Sequence, residues 1–282
     1  MNFLFNIGGF ALKIFVVTKK HITLFIFYCI TALFIIYFAS YGVIVMTSSS
    51  KRLIPIYNVS TNENKIAITF DAAWGAQDTD EIISILDKYN AKATFFVLGE
   101  WVDKNPDSVK SFSDAGHYIA SHSNTHDSLS AMPKSAIKKQ LITCNEKIEK
   151  TTGTKNELFR APSGDYNNSV IEVANELGMY TIQWNVDSLD YRGLSQDEIY
   201  NRVVKNAKSG DIILFHNDVK NTPKVLPKII ENLQSKGFEL VTVDELIYKD
   251  NFKINHTGTQ ESLELVQNRI ARQKLPAIPN LI

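Results

Sequence analysis

From Lys65 to about Asp250, short apolar runs alternate with longer stretches of helical periodicity. That alternation limits the fold more than any other feature of the chain. Ile66–Phe70, Ala93–Leu98, Tyr118–Ala120, Leu158–Phe159, Tyr180–Ile182, Ile212–Phe215 and Glu239–Val241 read as strands. The periodicity predicts helices over 78–89, 106–115, 134–152, 167–177, 195–208, 223–236 and 243–248, with Gly116 and Gly153 as helix stops. The strands are nearly continuous in apolar character, as in a sheet covered on both faces. About seven strand–helix units over about 185 residues suit a closed or nearly closed parallel α/β barrel better than an open sheet.

The N-terminal part is different. Ile22 to Met46 is a charge-free run of 25 residues, long enough to span a bilayer with some tilt. It is too long for the core of a signal peptide, and no clear small-residue cleavage site follows it. Lys13, Lys19 and Lys20 precede it and Lys51 and Arg52 follow, a slight asymmetry that predicts the N-terminus inside. The expected order is a short cytoplasmic N-terminus (1–21), a transmembrane helix (22–46), a Ser/Thr/Asn-rich linker (47–63), the barrel (64–250) and a polar tail (251–282). The apolar segment 3–17 is expected along the inner membrane surface, and the tail to carry a helix near 259–273. Together these predict a single-pass membrane protein with its N-terminus inside and its barrel outside.

Composition narrows the partners. Thirty basic residues balance thirty acidic ones, which removes the electrostatic case for a nucleic-acid partner and suits a neutral polymer or small molecule. Cys29 lies in the apolar run and Cys144 in a helix, so no disulfide is expected.

Chemistry concentrates where the strands end. Asp71 closes the first strand; His122 and His126 follow the third. Arg160, then Asp187 and Asp190, then His216 follow later ones. In a parallel α/β barrel these positions share one rim, where active sites collect. Two of the six histidines stand four apart, a spacing that lets two neutral imidazoles meet on one Zn²⁺ or similar cation. Trp74 lies in the loop after Asp71 and suits a sugar-stacking or site-lining role, whereas Trp101 and Trp184 read as core.

The ordered segments Ile68-Thr69-Phe70-Asp71, His122-Ser123-Asn124-Thr125-His126, Arg160-Ala161-Pro162-Ser163-Gly164, Asp187-Ser188-Leu189-Asp190-Tyr191 and Leu214-Phe215-His216 resemble the five motifs of the polysaccharide deacetylase family. This is the NodB-homology domain of carbohydrate esterase family 4. The resemblance covers roughly residues 64–250. It implies a distorted (β/α)₇ barrel, here preceded by one transmembrane helix, and a divalent metal, usually zinc, used to remove acetyl groups from a glycan. It implies His122 and His126 as metal ligands, Asp71 as general base and Arg160 as its partner. His216 is implied as general acid, with its ring held by Asp187 in preference to Asp190. The backbone near Ser163 is implied as oxyanion stabiliser, and Ser163, Trp74 and Tyr191 as the substrate-contacting set.

The chain also departs from the pattern. The family continues from the base to a second, metal-binding aspartate, and here that residue is Ala72. The metal then rests on the two histidines and water, or on a substitute such as Asp78 or Asp80, or substrate completes it, or the site is silent. Ala161, Ser163 and Tyr191 replace residues more usual in the motifs. Phe-Asp-x-x-Trp-Gly resembles a subgroup linked to spore-forming bacteria that commonly lacks the full metal triad. The leading expectation is a membrane-anchored deacetylase of peptidoglycan N-acetyl sugars. The alternatives are a glycan-binding or regulatory barrel of weak or no activity, and an O-acetyl esterase or chitooligosaccharide deacetylase.

Overall fold

The computed structural model describes residues 3–7, 10–14, 17–47, 51–205 and 207–273. The chain forms two units, Met1–Lys51 and Arg52–Ile282. In the first, β1 (Phe3–Ile7) and β2 (Phe10–Ile14) make an antiparallel hairpin within the segment expected to lie along a membrane surface. Helix α1 (Lys19–Thr47) follows and is apolar and long enough, over Lys19–Ser40, to cross a membrane. None of its side chains from Lys19 to Ser40 is buried. An apolar helix with no buried face is unlike a core helix of a soluble domain.

The second unit is a curled parallel sheet wrapped by helices. After β3 (Asn58–Ser60), β4 (Lys65–Ala72) leads through α2 (Thr79–Lys88) to β5 (Ala93–Val97). Helices α3 (Gly99–Lys104) and α4 (Pro106–Asp114) precede β6 (Tyr118–Ser121), and α5 (Lys134–Thr152) precedes β7 (Leu158–Phe159). Then come α6 (Asn168–Glu176), β8 (Tyr180–Thr181), β9 (Val186–Asp187), α7 (Gln196–Val204) and β10 (Ile212–His216). Helix α8 (Thr222–Ser235), β11 (Glu239–Val241) and α9 (Val243–Leu246) complete the wrap. The strand order is β8-β7-β6-β5-β4-β10-β9, with β11 beside the start of β4. The α/β barrel expected from the strand–helix alternation is present; its distortion is a gap between β8 and β9.

Local signals explain most boundaries. Gly153 ends α5 in the left-handed conformation (φ 74°). Ser195 and Thr242 start α7 and α9 with capping boxes closed by Glu198 and Glu245. Helix α3 carried no sequence signal long enough to predict it.

Along β4 the side chains alternate between two cores. Ile66, Ile68, Phe70 and Ala72 belong to the cluster under the helices, with Phe95 stacked on Phe70 at 4.9 Å and on Phe112 at 3.8 Å. Ala67 belongs to a second cluster inside the barrel, with Phe96, Ala120, Ile182, Val241 and Leu246. Thr69 and Asp71 follow Ala67 on the same alternation, so they face the interior nearest the rim.

The segment expected as linker is partly structure. Ile56 is buried and bridges to Ile182 beyond β8, and Asn58 bridges to Asp211 before β10. Val59 N–H donates to the Gly210 carbonyl (2.9 Å), and a Cβ on Gly210 would collide with the Val59 carbonyl. The tail likewise contributes β12 (Phe252–Ile254) and β13 (Thr259–Ser262), which form a small sheet with β3, before α10 (Leu263–Gln273). The expected tail helix therefore starts at Leu263, and the Pro-rich end over 274–282 lies outside the described residues.

His117 is buried between Phe95 and Phe112 with neither ring nitrogen hydrogen-bonded. Burial first, and then Lys92, pushes its pKa down from 6.5 to about 4, against a smaller pull from Asp87. The unfolded chain therefore binds a proton that the folded chain refuses, and stability falls as pH drops from 6.5 towards 4. Replacing His117→Phe should remove up to about 3 kcal/mol of that acid-induced loss. Urea unfolding of both proteins at pH 7 and pH 4 reads the difference.

Candidate active site

Strand register assembles the rim. In the β4–β10 pairing, Asp71 lies directly opposite His216. In the β6–β7 pairing, Ser121 lies opposite Phe159, so His122 and Arg160 leave neighbouring strands at one level.

Arg160 is fully buried and ties this group together. Its Nη1 donates to Asp71 Oδ1 at 2.7 Å and to Thr69 Oγ1 at 2.9 Å, and its Nη2 donates to the Gln183 carbonyl at 3.1 Å. The guanidinium lies 3.9 Å from the centre of the Phe96 ring. Burial pushes the Asp71 carboxyl up, but Arg160, then His122 and His216, more than reverse this. The net shift is downward, so Asp71 is a carboxylate at neutral pH.

His216 has the opposite bias. Its Nδ1 bonds to Asp190 Oδ1 at 2.8 Å, and its backbone N–H donates to Asp190 Oδ2 at 2.9 Å. Burial lowers its pKa, but the Asp190 hydrogen bond and the charges of Asp71, Asp190 and Asp187 outweigh it, so the net shift is upward. Asp190 is itself buried and also accepts from Thr222 Oγ1 at 2.7 Å. The expected ring holder, Asp187, does not make this contact. Its Oδ1 accepts from Leu189 N–H at 2.9 Å, and it lines the cavity instead. The reason is local backbone: Leu189 is left-handed (φ 53°), which folds Asp190 back beneath His216.

His122 is buried, and its Nδ1 bonds to the Arg160 carbonyl at 3.0 Å. A carbonyl only accepts, so Nδ1 carries the proton and Nε2 keeps a free lone pair, 3.6 Å from Asp71 Oδ2. Burial pushes the His122 pKa down to about 4, leaving a neutral imidazole at pH 7. The His126 ring is exposed, 5.6 Å away centre to centre. The donor chemistry of this pair fits a first-row divalent cation. What is missing is an anionic third ligand. Among the described residues no group of three or more His, Cys, Asp or Glu could hold a metal. Ala72 is fully buried in the helix-facing core. Asp78 does not substitute: it is buried beyond the cavity wall, where its Oδ2 accepts from Asp218 N–H at 2.7 Å. Asp80 does not line the cavity either.

These groups face a cavity of about 270 Å³ whose walls include Trp74, Ser163, Trp184, Tyr191 and Leu214. Trp74 and Tyr191 are exposed aromatics beside His216, with ring centres 5.7 and 4.9 Å from its own. Ser163 sits in a left-handed turn (φ 55°) at the cavity edge. Trp184 was expected in the core; it is half-buried and lines the cavity, 5.5 Å from the Arg160 guanidinium.

Comparison with known proteins agrees with this geometry. The polysaccharide deacetylase family model matches residues 58–182. A peptidoglycan-N-acetylglucosamine deacetylase of Bacillus cereus is 37% identical over 68% of this chain and 92% of its own length. The chain belongs to the polysaccharide deacetylase family. Another relative, the uncharacterized protein YlxY of Bacillus subtilis, is 35% identical over 68% of this chain, but the match spans only 60% of that longer protein. Among solved structures, a family 4 pseudoenzyme from Bacillus anthracis has a TM-score of 0.67 at 32% identity, covering 69% of each chain. A mutant of that pseudoenzyme is described as having restored enzymatic activity.

Within the family frame, Thr69 and Gln183 were missed as supports for Arg160. Thr69 was legible, because strand alternation puts it on the Asp71 face; Gln183 acts through its backbone and left no signal. Breaking the central pair strands a buried carboxylate. Arg160→Leu should destabilise the protein by roughly 3–5 kcal/mol. The double replacement Asp71→Leu with Arg160→Leu should recover more than half of that loss, as read by chemical denaturation.

Proposed function

We propose that this protein hydrolyses the acetamido group of an N-acetyl sugar in peptidoglycan. The observation that carries this is the opposed tuning of two neighbours: Asp71 is biased towards its carboxylate and His216 towards its imidazolium. Two titratable groups at one cavity, pushed apart in this way, form a base and an acid. Asp71 takes a proton from water as its oxygen attacks the acetyl carbon. The C–N bond then breaks, and His216 protonates the departing nitrogen, leaving acetate and a free amine. Asp190 positions His216, Arg160 positions Asp71, and Trp74 and Tyr191 offer the sugar an aromatic wall. Ser163 marks where a backbone N–H would meet the developing oxyanion. A divalent cation, zinc being the usual one in this family, would be held by His122 and His126 and, when bound, would polarise the acetyl carbonyl.

Helix α1 supports a place at the wall: we read it as a single membrane anchor with the N-terminus inside and the barrel outside. Protease added to intact protoplasts should then remove the barrel. Persistence of the full-length chain would sink this topology.

Mass spectrometry of muropeptides from a deletion strain tests the activity. The expected outcome is fewer free amines on the glycan; unchanged acetylation in every growth and sporulation condition would overturn it. Within the site, Asp190→Asn should lower turnover by roughly 100-fold. It should also move the alkaline limb of the pH–rate profile to lower pH, because His216 loses the partner that keeps it protonated.

A second function, glycan binding with little or no turnover, is favoured by Ala72 and by the similarity to a solved pseudoenzyme. Here Asp71→Asn and His216→Ala would leave the cellular phenotype untouched. Equilibrium dialysis against zinc separates the two: metal bound one to one, and lost in His122→Gln, supports the enzyme. A wild-type chain that takes up no metal supports the binding protein.

A further inference from the structure

The two histidines that line the cavity beside Asp71 are held in different ways. His122 is buried, and the Arg160 carbonyl fixes its ring directly at 3.0 Å. The His126 ring is exposed and makes no hydrogen bond among the described residues. Its place is therefore decided by the backbone that carries it. That backbone includes Ser123 in a left-handed conformation (φ 70°), which persists only where the surroundings impose it.

Two helices grip this turn. From α3, the Gly99 and Glu100 N–H groups donate to the Ser123 and Asn124 carbonyls, both at 3.0 Å. From α5, Gln140 makes three bonds through one side chain. Its Oε1 accepts from the Asn124 N–H at 3.0 Å and the Thr125 N–H at 2.9 Å, and its Nε2 donates to Thr125 Oγ1 at 2.7 Å. Two backbone donors leave the carboxamide one orientation, because its NH₂ group cannot accept them. Lys147, about two turns further along α5, donates to Asn124 Oδ1 at 2.7 Å. Among the described residues, Gln140 is the only hydrogen-bond partner of Thr125 from outside this turn, and Thr125 precedes His126. Ile137, Leu141, Cys144 and Ile148 anchor α5 in the core, so Gln140 extends from a fixed base.

This support carries more weight here than it would beside a complete ligand set. With Ala72 on the chain, a cation is offered two imidazoles. The second adds affinity only as far as it is already held near the first. Resting on the metal-dependent hydrolase reading of the site, we infer that Gln140 is a positioning residue. Through Thr125 it holds His126 at the cavity, and it thereby sets the affinity of the histidine pair for a divalent cation.

The full chain in detergent, carrying isotope-labelled histidine, gives two readouts for Gln140→Met, which keeps the side-chain length and removes all three hydrogen bonds. The first is NMR relaxation of the rings without metal: His126 should gain fast motion, and His122, fixed by Arg160, should not. The second is zinc affinity by competition with a chelator, which should fall roughly 10–100-fold, the usual cost of losing an outer partner of a metal ligand. Ile148→Val, a core change in the same helix, is the control; it should lower the melting temperature and leave both readouts unmoved. Equal loosening of the two rings, or none, would overturn the inference, as would unchanged zinc affinity in Gln140→Met. A wild type that binds no zinc would overturn the affinity claim together with the hydrolase reading, and ring relaxation would still decide whether Gln140 holds His126.

Discussion

The Arg160–Asp71 pair is the interaction on which the rest of the site depends. One buried guanidinium reaches β4 through Thr69 and Asp71, lies over Phe96 of β5 and meets the backbone just beyond β8 at Gln183. The carbonyl of the same residue fixes the His122 ring. Burying two charges costs several kcal/mol apiece, and their attraction repays this only when the remaining donors and acceptors are also satisfied. Arg160 comes close to that, with only its Nε left without a partner. The apolar cluster inside the barrel keeps water from the pair from below. Moving any of these strands by one residue would expose the charges or strand them.

The same closeness explains how neighbouring residues are biased towards opposite charges. Asp71 and His216 face each other across a single strand pairing, each half-surrounded by low-dielectric packing that disfavours its charged form. Each is rescued by a dedicated partner of opposite sign, Arg160 for one and Asp190 for the other. The two charged groups also stabilise one another. The opposite charge biases of the proposed base and acid are thus products of burial combined with pairing, and neither alone would separate them.

The sequence made legible whatever follows from period and from order along the chain. Continuous apolar strands, helical periodicity, Gly116 and Gly153 marked the alternating elements, and the strand ends marked Asp71, His122, Arg160 and His216. What it did not show depends on backbone turns and on long-range pairing. Leu189 in a left-handed conformation brings Asp190 rather than Asp187 to His216, and nothing in Asp-Ser-Leu-Asp announces which carboxylate will turn inward. Residues 52–60 looked like linker because they lie between the polar stretches 47–50 and 60–64, yet Ile56 bridges to Ile182 beyond β8, a partner more than a hundred residues away. Trp184 looked like core for a similar reason: an aromatic residue near a strand end is buried or site-lining according to a loop that comes later.

Ala72 can now be given a physical meaning. Strand alternation turns its methyl towards Ile68 and Phe70 under the helices, so the fold loses nothing by its being alanine and avoids burying a carboxylate beside an apolar cluster. Asp71, Arg160, His216 and Asp190 are undisturbed, because they lie on the other face of the sheet or on other strands. Alanine here weakens the claim on a cation while leaving the proton-transfer groups in place. A barrel kept only for shape would be more stable with apolar residues in place of Arg160 and Asp71, by roughly 1–4 kcal/mol where such exchanges pack well. The chain instead retains a buried ion pair, a half-buried histidine on a buried aspartate and two exposed aromatics around one cavity. Each is a stability cost or an exposed apolar surface that packing alone does not require. Their convergence on one sugar-sized space is what a polar site for a glycan demands, and the cation is the component for which this chain has the fewest ligands.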